Sequence, residues 1–393
     1  MARKKRTYGT GSTYQNKAGE WFAAFPGKEG RIVRRVADKQ AGEAWLAETA
    51  AQEARHVNVA KAQDSFHTYA EGFMGTLRKQ KETTIVSYAQ LLEYYILDFV
   101  GGVRLADLRK AHFSGMVRSL LGAGSAVSQV RNALNLAARI LDKAMGDDLV
   151  LKNYAALARD ELPAAEESVG RAMTVEEAAA LVATVASHRL APLYHIALCY
   201  GVRKGELLGL RWIDIDWATG TFYIRQQVRE VPILGAGEDE LHTKIVFSEP
   251  KSKGSKRLLP LTPRLTLRLR AVWDEQQEQR ARLGVDWKEH GLVFPSEAGQ
   301  PIRPTNFRKH YKVMLRKAGI DQTYRFHDLR HTAATMVADA GMEESVIAHL
   351  LGHGKTTVTR RYIKALHSQM LPALEAVEAS IGLGGGMAKE KMG

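Results

Sequence analysis

From Gly11 to Val36 the chain reads GSTYQNKAGEWFAAFPGKEGRIVRRV. Short runs carrying Tyr14, Trp21, Phe25, Ile32 and Val36 are separated by NKAG and PGKEG, both rich in turn formers. That alternation predicts three short strands. An Ala- and Glu-rich helix follows, beginning near Asp38 or Lys39. From residue 64 the period changes. Phe66, Tyr69, Phe73, Met74 and Leu77 recur at helical spacing, as do Ile85, Tyr88, Leu92, Tyr95 and Phe99. Gly101 and Gly102 close the second helix, LADLRKAHFSGMVRSLL supplies a third and SAVSQVRNALNLAARILDKAM a fourth. The aromatic stripes are expected to form the core of a compact bundle. ARDELPAAEESVGRA then interrupts the periodicity and reads as a linker. TVEEAAALV restarts it, with Thr174 and Glu177 spaced as a capping box. Helices to about 212, strands between TGTFYIRQQVREV and SKRLLPL, and helices to about 381 follow. The Gly-rich end, GLGGGMAKEKMG, is expected to be disordered.

The pattern predicts a multidomain, mainly α protein with small β-sheets. Residues 1–60 form a small three-stranded β domain with a helix, and residues 64–155 a helical bundle. A linker (156–173), a mixed α+β domain (174–381) and a flexible tail (382–393) complete the chain. A length of 393 residues agrees with more than one domain.

Charge narrows the partner. The net charge is +13, and the first 40 residues hold ten Lys and Arg against three Asp and Glu. That balance favours a polyanion, without separating an enzyme from a structural basic protein. The small sheet with its basic surface reads as a nucleic-acid reader in a groove, or as a solvated basic tail on a tiny domain. The single cysteine, Cys199, excludes an intrachain disulfide framework and a cysteine-rich zinc site. It sits in the apolar run LYHIALCY and is expected to be a buried small hydrophobe. No apolar stretch approaches the roughly 18 residues of a membrane span. MARKKR is not followed by the apolar segment of a signal peptide. A soluble intracellular protein is expected.

The chemistry concentrates in the last segment. His327 and Arg330 are three apart on one helix and project together, with Leu329, Ala333, Met336 and Val337 turned inward. Such a pair alone is more often surface decoration. His353 lies just beyond the Gly352 stop of the next helix, and Tyr362 follows nine residues later. Upstream, Arg203 stands at the break between two helices, with Glu206 one turn on to hold its guanidinium. EPKSKGSKRLLPL reads as a tight turn between strands that carries Lys251 or Lys253 on its tip, with Lys253 and Lys256 better read as solvated.

Together these groups match what phosphoryl transfer to a tyrosine requires. A five-coordinate phosphodiester gathers charge on its non-bridging oxygens, which two arginines can clamp. A phenol with an ordinary pKa of about 10 needs a base or electrostatic help to attack. The departing 5′ oxygen needs a proton from lysine or histidine. Nothing in this demands a metal.

The chain resembles the tyrosine recombinases of the phage-integrase family. The resemblance is carried by GVRKGELLGLRW, EPKSKGSKRLLPL, RFHDLRHTAATMVADAG and HLLGHGKTTVTRRY, in the family's order and at its separations. It covers residues 174–381 with high specificity. The bundle resembles the family's core-site-binding domain and the N-terminal sheet the arm-site-binding domain of the lambda type. By this resemblance Arg203 and Arg330 are the phosphate clamp and Lys251 the general acid toward the 5′ oxygen. His327 is the general acid/base, His353 a phosphate hydrogen-bonding group, Tyr362 the nucleophile and Glu206 a supporting acid. His331 is structural. The family implies a homotetramer on double-stranded DNA with core-type and arm-type sites, in a bacterial cytoplasm, and no metal or high-energy cofactor. It also implies an excisionase and a host DNA-bending protein as accessory partners, and no membrane. Two departures occur: KNYA stands where the bundle usually meets an Asn-Pro pair, and GKTT replaces a serine-rich turn. Other readings are a resolvase or type IB topoisomerase-like enzyme with the same chemistry, and a catalytically silent architectural protein. A metal phosphohydrolase built on His327-Asp328 lacks further ligand clusters.

Overall fold

Turn chemistry decides the first element. Asn16 accepts from the backbone N–H groups of Ala18 and Glu20 at 3.0 and 2.9 Å and so closes the first hairpin. The strands β1 (Ser12–Gln15), β2 (Trp21–Gly27) and β3 (Gly30–Val36) form an antiparallel sheet in that order. These positions come from a computed structural model that describes residues 11–27, 30–54, 58–164, 170–233, 242–250, 253–352 and 360–383. Within that span, the side chains of Lys253 and residues 360–364 are not described. The chain divides into two compact units, Met1–Glu166 and Glu167–Gly393.

In the first unit, one face of the sheet packs Ala23 and Phe25 against Leu46 of α1 (Lys39–Ala54). Tyr14 departs from the expected apolar side. It is 39 % exposed and stacks on Phe22 at 5.7 Å, because strand alternation turns it to the face away from α1. The bundle comprises α2 (Phe66–Thr76), α3 (Glu82–Leu91), α4 (Lys110–Gly122), α5 (Val127–Gly146) and the short α6 (Tyr154–Leu157). Here too one expectation shifts. From Leu92 to Gly101 the helix continues with π-helical geometry. The wider π turn brings Leu92, Ile96 and Val100 inward, whereas Tyr94 is 65 % and Phe99 36 % exposed. Ala155 and Ala158, where the apolar period lapses, are buried in the same core. The sheet and bundle keep separate cores within this unit, joined by Arg34–Asp107 at 3.0 Å and Arg109–Glu48 at 2.6 Å.

The second unit opens with α7 (Val175–Val185), where Thr174 and Glu177 cap each other's backbone N–H groups as the spacing predicts. Its centre is α8 (Ala191–Tyr200), buried at every residue, Cys199 included. After α9 (Lys204–Leu208) come β4 (Ile215–Asp216), β5 (Thr221–Ile224), β6 (Gln227–Pro232), β7 (Thr243–Ser248) and β8 (Arg257–Pro260). They form a three-stranded sheet of order β4-β5-β8 and the hairpin β6-β7. The remaining helices are α10 (Pro263–Leu283), α11 (Pro304–Lys317), α12 (Asp328–Asp339), α13 (Glu344–Leu351) and α14 (Arg360–Ser380). Leu366, Met370, Leu374, Val377 and Ile381 of the last stretch are buried in this unit's own core. The expected flexible tail, 382–393, starts too early: Leu383 is buried in the same core, its N–H donating to the Glu378 carbonyl at 2.8 Å, and residues 384–393 lie outside the described residues. Among the described residues no helix is long and apolar enough to cross a membrane.

Candidate active site

α8 has to stop sharply for the site to exist. Gly201 ends it with φ +60°, and a Cβ there would meet Leu351 Cδ2 at 2.6 Å. The space left by the missing side chain is filled by Leu351 and by Arg330, whose Cγ would lie 3.3 Å from such a Cβ. Arg330 Nη1 donates to the Gly201 carbonyl at 2.9 Å, so α12 is tied to the corner where α8 ends. Two residues on, Arg203 begins α9 with an extended backbone, and Glu206 sits one turn later, 2 % exposed.

Glu206 organises the surrounding charge. Its Oε1 accepts from Arg203 Nη1 at 2.9 Å, and Oε2 accepts from the Arg203 backbone N–H at 3.3 Å. The same Oε2 accepts from both Nη1 and Nη2 of Arg257 at 3.1 Å. Arg257, at the start of β8, is 2 % exposed; its Nε donates to the Leu350 carbonyl at 2.7 Å and its Nη1 to that of Ser255 at 3.0 Å. Arg330 Nη2 donates to the next carbonyl, that of Leu351. Two guanidinium groups thus meet the last carbonyls of α13, the negative end of its dipole.

Arg330 departs from the expectation that it shares an exposed polar face with His327. It is 5 % exposed, enclosed with Leu329 and Ala333, with Nη1 and Nη2 each donating to a backbone carbonyl. Burial, then the like charges of Arg203 and Arg257, push it down to about 9, with Glu206 pulling the other way. His327 is exposed at the start of α12. Partial desolvation, then the charges of Arg330, His331 and Arg203, hold its imidazole below the usual value. Arg203, Glu206, His327 and Arg330 are therefore brought to one locality from helices far apart in sequence. Lys256, expected to be solvated, is half-buried and pairs with Glu249 at 2.7 Å. Lys251 and His353 lie outside the described residues. Tyr362 falls in the first turn of α14, and its side chain is also outside them. That helix is held to β8 by His367, whose Nε2 lies 3.2 Å from the Leu258 carbonyl.

A site with several guanidinium groups and one enclosed carboxylate suits an anion with several oxygens. The comparison with known proteins gives this arrangement a family. The sequence profile described as "Phage integrase family" matches residues 171–369, half of the chain, and that stretch contains every residue of the site. The chain belongs to the phage integrase family. Among its relatives, a "Tyrosine recombinase XerC-like" protein of Caldanaerobacter subterraneus subsp. tengcongensis is 26% identical, covering 80% of this chain and 82% of that one. A solved structure of the Tn1549 transposon integrase with a circular intermediate DNA matches with a TM-score of 0.62 at 15% identity, over 78% of this chain and 99% of that one. A lambda integrase tetramer bound to a Holliday junction matches with a TM-score of 0.51 at 15% identity, covering 93% of this chain and 97% of that one. These structural likenesses show the multidomain integrase fold.

Within this member of the phage integrase family, Arg257 is the residue that the sequence reading passed over. It stands in SKRLLPL directly behind the lysines, where a further cation attracts no notice. The available signal was its placement at the first position of a strand between an apolar run and the turn. Its partners Glu206 and Leu350 are 51 and 93 residues away.

Proposed function

We propose that this chain is a site-specific DNA recombinase that cuts and rejoins strands through a 3′-phosphotyrosyl intermediate, integrating a phage or other mobile element. The observation that carries the reading is the convergence of Arg203 and Arg330 on the corner at Gly201, with Glu206 holding the first and backbone carbonyls holding the second. In this reading the two guanidinium groups clamp the non-bridging oxygens of a DNA phosphodiester, and their charge stabilises the five-coordinate state. The Tyr362 hydroxyl attacks phosphorus; the new O–P bond forms as the bond to the 5′ oxygen breaks. His327, held below its usual value by desolvation and then by its cationic neighbours, accepts the phenolic proton. Lys251 protonates the departing 5′ oxygen, and His353 donates a hydrogen bond to the phosphate. The ester link preserves the free energy of the broken bond, so rejoining to another 5′ hydroxyl needs no nucleotide cofactor.

The N-terminal sheet is the proposed reader of arm-type sites. Its face away from α1 presents the Tyr14–Phe22 stack, with the Arg31 guanidinium 5.8 Å from the Tyr14 ring and Arg35 71 % exposed. Cations beside exposed aromatic rings suit a groove lined by phosphates. The bundle would hold core-type sites, and a homotetramer would assemble on DNA to exchange strands in pairs.

The test first searches the DNA around the coding sequence for a direct repeat, then uses a nicked duplex spanning that repeat, so that cleavage next to the nick releases a short fragment and traps the covalent adduct. The unsubstituted chain is expected to form a protein–DNA adduct stable to denaturant, and Tyr362→Phe to bind the duplex with none. An adduct with Tyr362→Phe removes that residue from the role. Relaxation of plasmids lacking the repeat, at rates matching plasmids that carry it, would point to a topoisomerase instead.

A further inference from the structure

The two cations bound to Glu206 face different surroundings. The Arg203 side chain is 33 % exposed, against 1 % for Arg257 and 2 % for Glu206. Only Arg203 of the three is therefore open to a ligand. A carboxylate paired with one guanidinium forms a neutral pair, which attracts a phosphate weakly. With two guanidinium groups the same carboxylate belongs to a cluster of net charge +1. In a poorly hydrated site that difference acts strongly on an approaching anion.

The bonding pattern divides the work accordingly. Arg257 directs both Nη groups to Oε2 of Glu206 at 3.1 Å, while Arg203 reaches Oε1 through Nη1 alone at 2.9 Å. The remaining Arg257 bonds end on the carbonyls of Leu350 and Ser255. A guanidinium so enclosed needs a buried anion as partner, and Glu206 is the carboxylate acting on it.

We propose that Arg257 is a positioning residue whose buried charge neutralises Glu206, so that Arg203 meets the DNA phosphate with its own charge undiminished while Glu206 still fixes its direction. This deepens the reading of the site as a phosphate clamp and rests on it. The rival role is a mechanical one, in which Arg257 only ties β8 to the end of α13.

The two roles separate in a double substitution. If charge balance is what matters, removing the carboxylate's charge compensates for removing the arginine's. The experiment compares the full chain with Arg257→Met, Glu206→Gln and the double variant, reading single-turnover adduct formation on the nicked repeat duplex. Duplex binding and thermal melting are followed in parallel. Arg257→Met is expected to form adduct roughly 100-fold more slowly, the scale of losing one stabilising group at a developing charge, with duplex binding changed little. The double variant is expected to be at least about tenfold faster than Arg257→Met, because a neutral glutamine leaves the Arg203 charge uncompensated. A folded double variant no faster than Arg257→Met overturns the proposal in favour of the mechanical role. Where Arg257→Met does not melt cooperatively, Arg257→Lys decides: it keeps the charge and loses the fork, so adduct formation within about tenfold of the parent is expected. A folded Arg257→Lys slowed by roughly 100-fold or more would overturn charge balance. Failure of the unsubstituted chain to form any adduct overturns the clamp reading itself, and this proposal with it.

Discussion

Two of the buried carboxylates in the second unit, Glu206 and Glu378, have opposite surroundings. Glu206 is 2 % exposed and is shared by Arg203 and Arg257, one of which reaches the surface. Glu378, on α14, is 4 % exposed and accepts from the Thr262 hydroxyl, with His195 Nε2 at 2.6 Å. Neither His195 nor Thr262 reaches the surface. Burial is common to both clusters and cannot by itself mark a functional site. What differs is the sign of the surplus charge and whether one member opens outward. The Glu206 cluster carries excess positive charge to an accessible guanidinium, whereas the Glu378 cluster is closed and joins α14 to α8 and the start of α10.

Substitution should separate the two along that line. The largest effect is expected at Arg330, which shares the cationic crowd of the first cluster. Arg330→Ala should slow adduct formation by about a thousandfold. Melting is also expected to fall, since the Gly201 and Leu351 carbonyls lose their donor. A rate within tenfold of the parent would move the chemistry elsewhere. A smaller and different effect is expected at the second cluster. Glu378→Gln should lower stability by about 1–3 kcal/mol through loss of a charged hydrogen-bond acceptor. Adduct formation per folded molecule should stay at the parental rate, and a fall in that rate with unchanged melting would contradict the contrast.

The smallest effect is the closed cluster's own share of the pH dependence, carried by His195. Desolvation holds His195 below its usual value, while Glu378 pulls in the other direction. Below about pH 6.5 the unfolded chain takes up a proton at this position that the folded chain resists. Its contribution to stability is therefore fully present above that pH and lost as pH falls toward the depressed folded value. Melting temperature measured from pH 7.5 to 5 should drop, and His195→Gln should flatten the slope relative to the parent.

The same contrast explains which features could be read from the sequence. Local chemistry was legible: Asn16 in the first hairpin, the Thr174–Glu177 box, and the helix stops at Gly201 and Gly352 each act within a few residues. The positions of Arg203, Glu206, His327 and Arg330 were legible through their order along the chain. What short-range periodicity could not supply was set by distant partners. The π geometry after Leu92 rotated the expected aromatic stripe, and Tyr14 faced outward by strand parity. Arg330 turned inward because carbonyls of α8 and α13 were there to receive it. Arg257 stayed hidden because a lysine-rich turn preceded it and both of its principal partners lay in other elements.

The central claim is that a guanidinium at Arg330 offsets negative charge on a non-bridging phosphate oxygen. It is tested most directly by removing that charge from the DNA. The measurement is single-turnover adduct formation by Arg330→Ala on the nicked duplex with a neutral methylphosphonate at the scissile position. The account predicts that this variant reacts at least about a hundredfold faster there than on the ordinary phosphodiester. Equal or slower reaction on the methylphosphonate, by a folded variant that still binds the duplex, would contradict it.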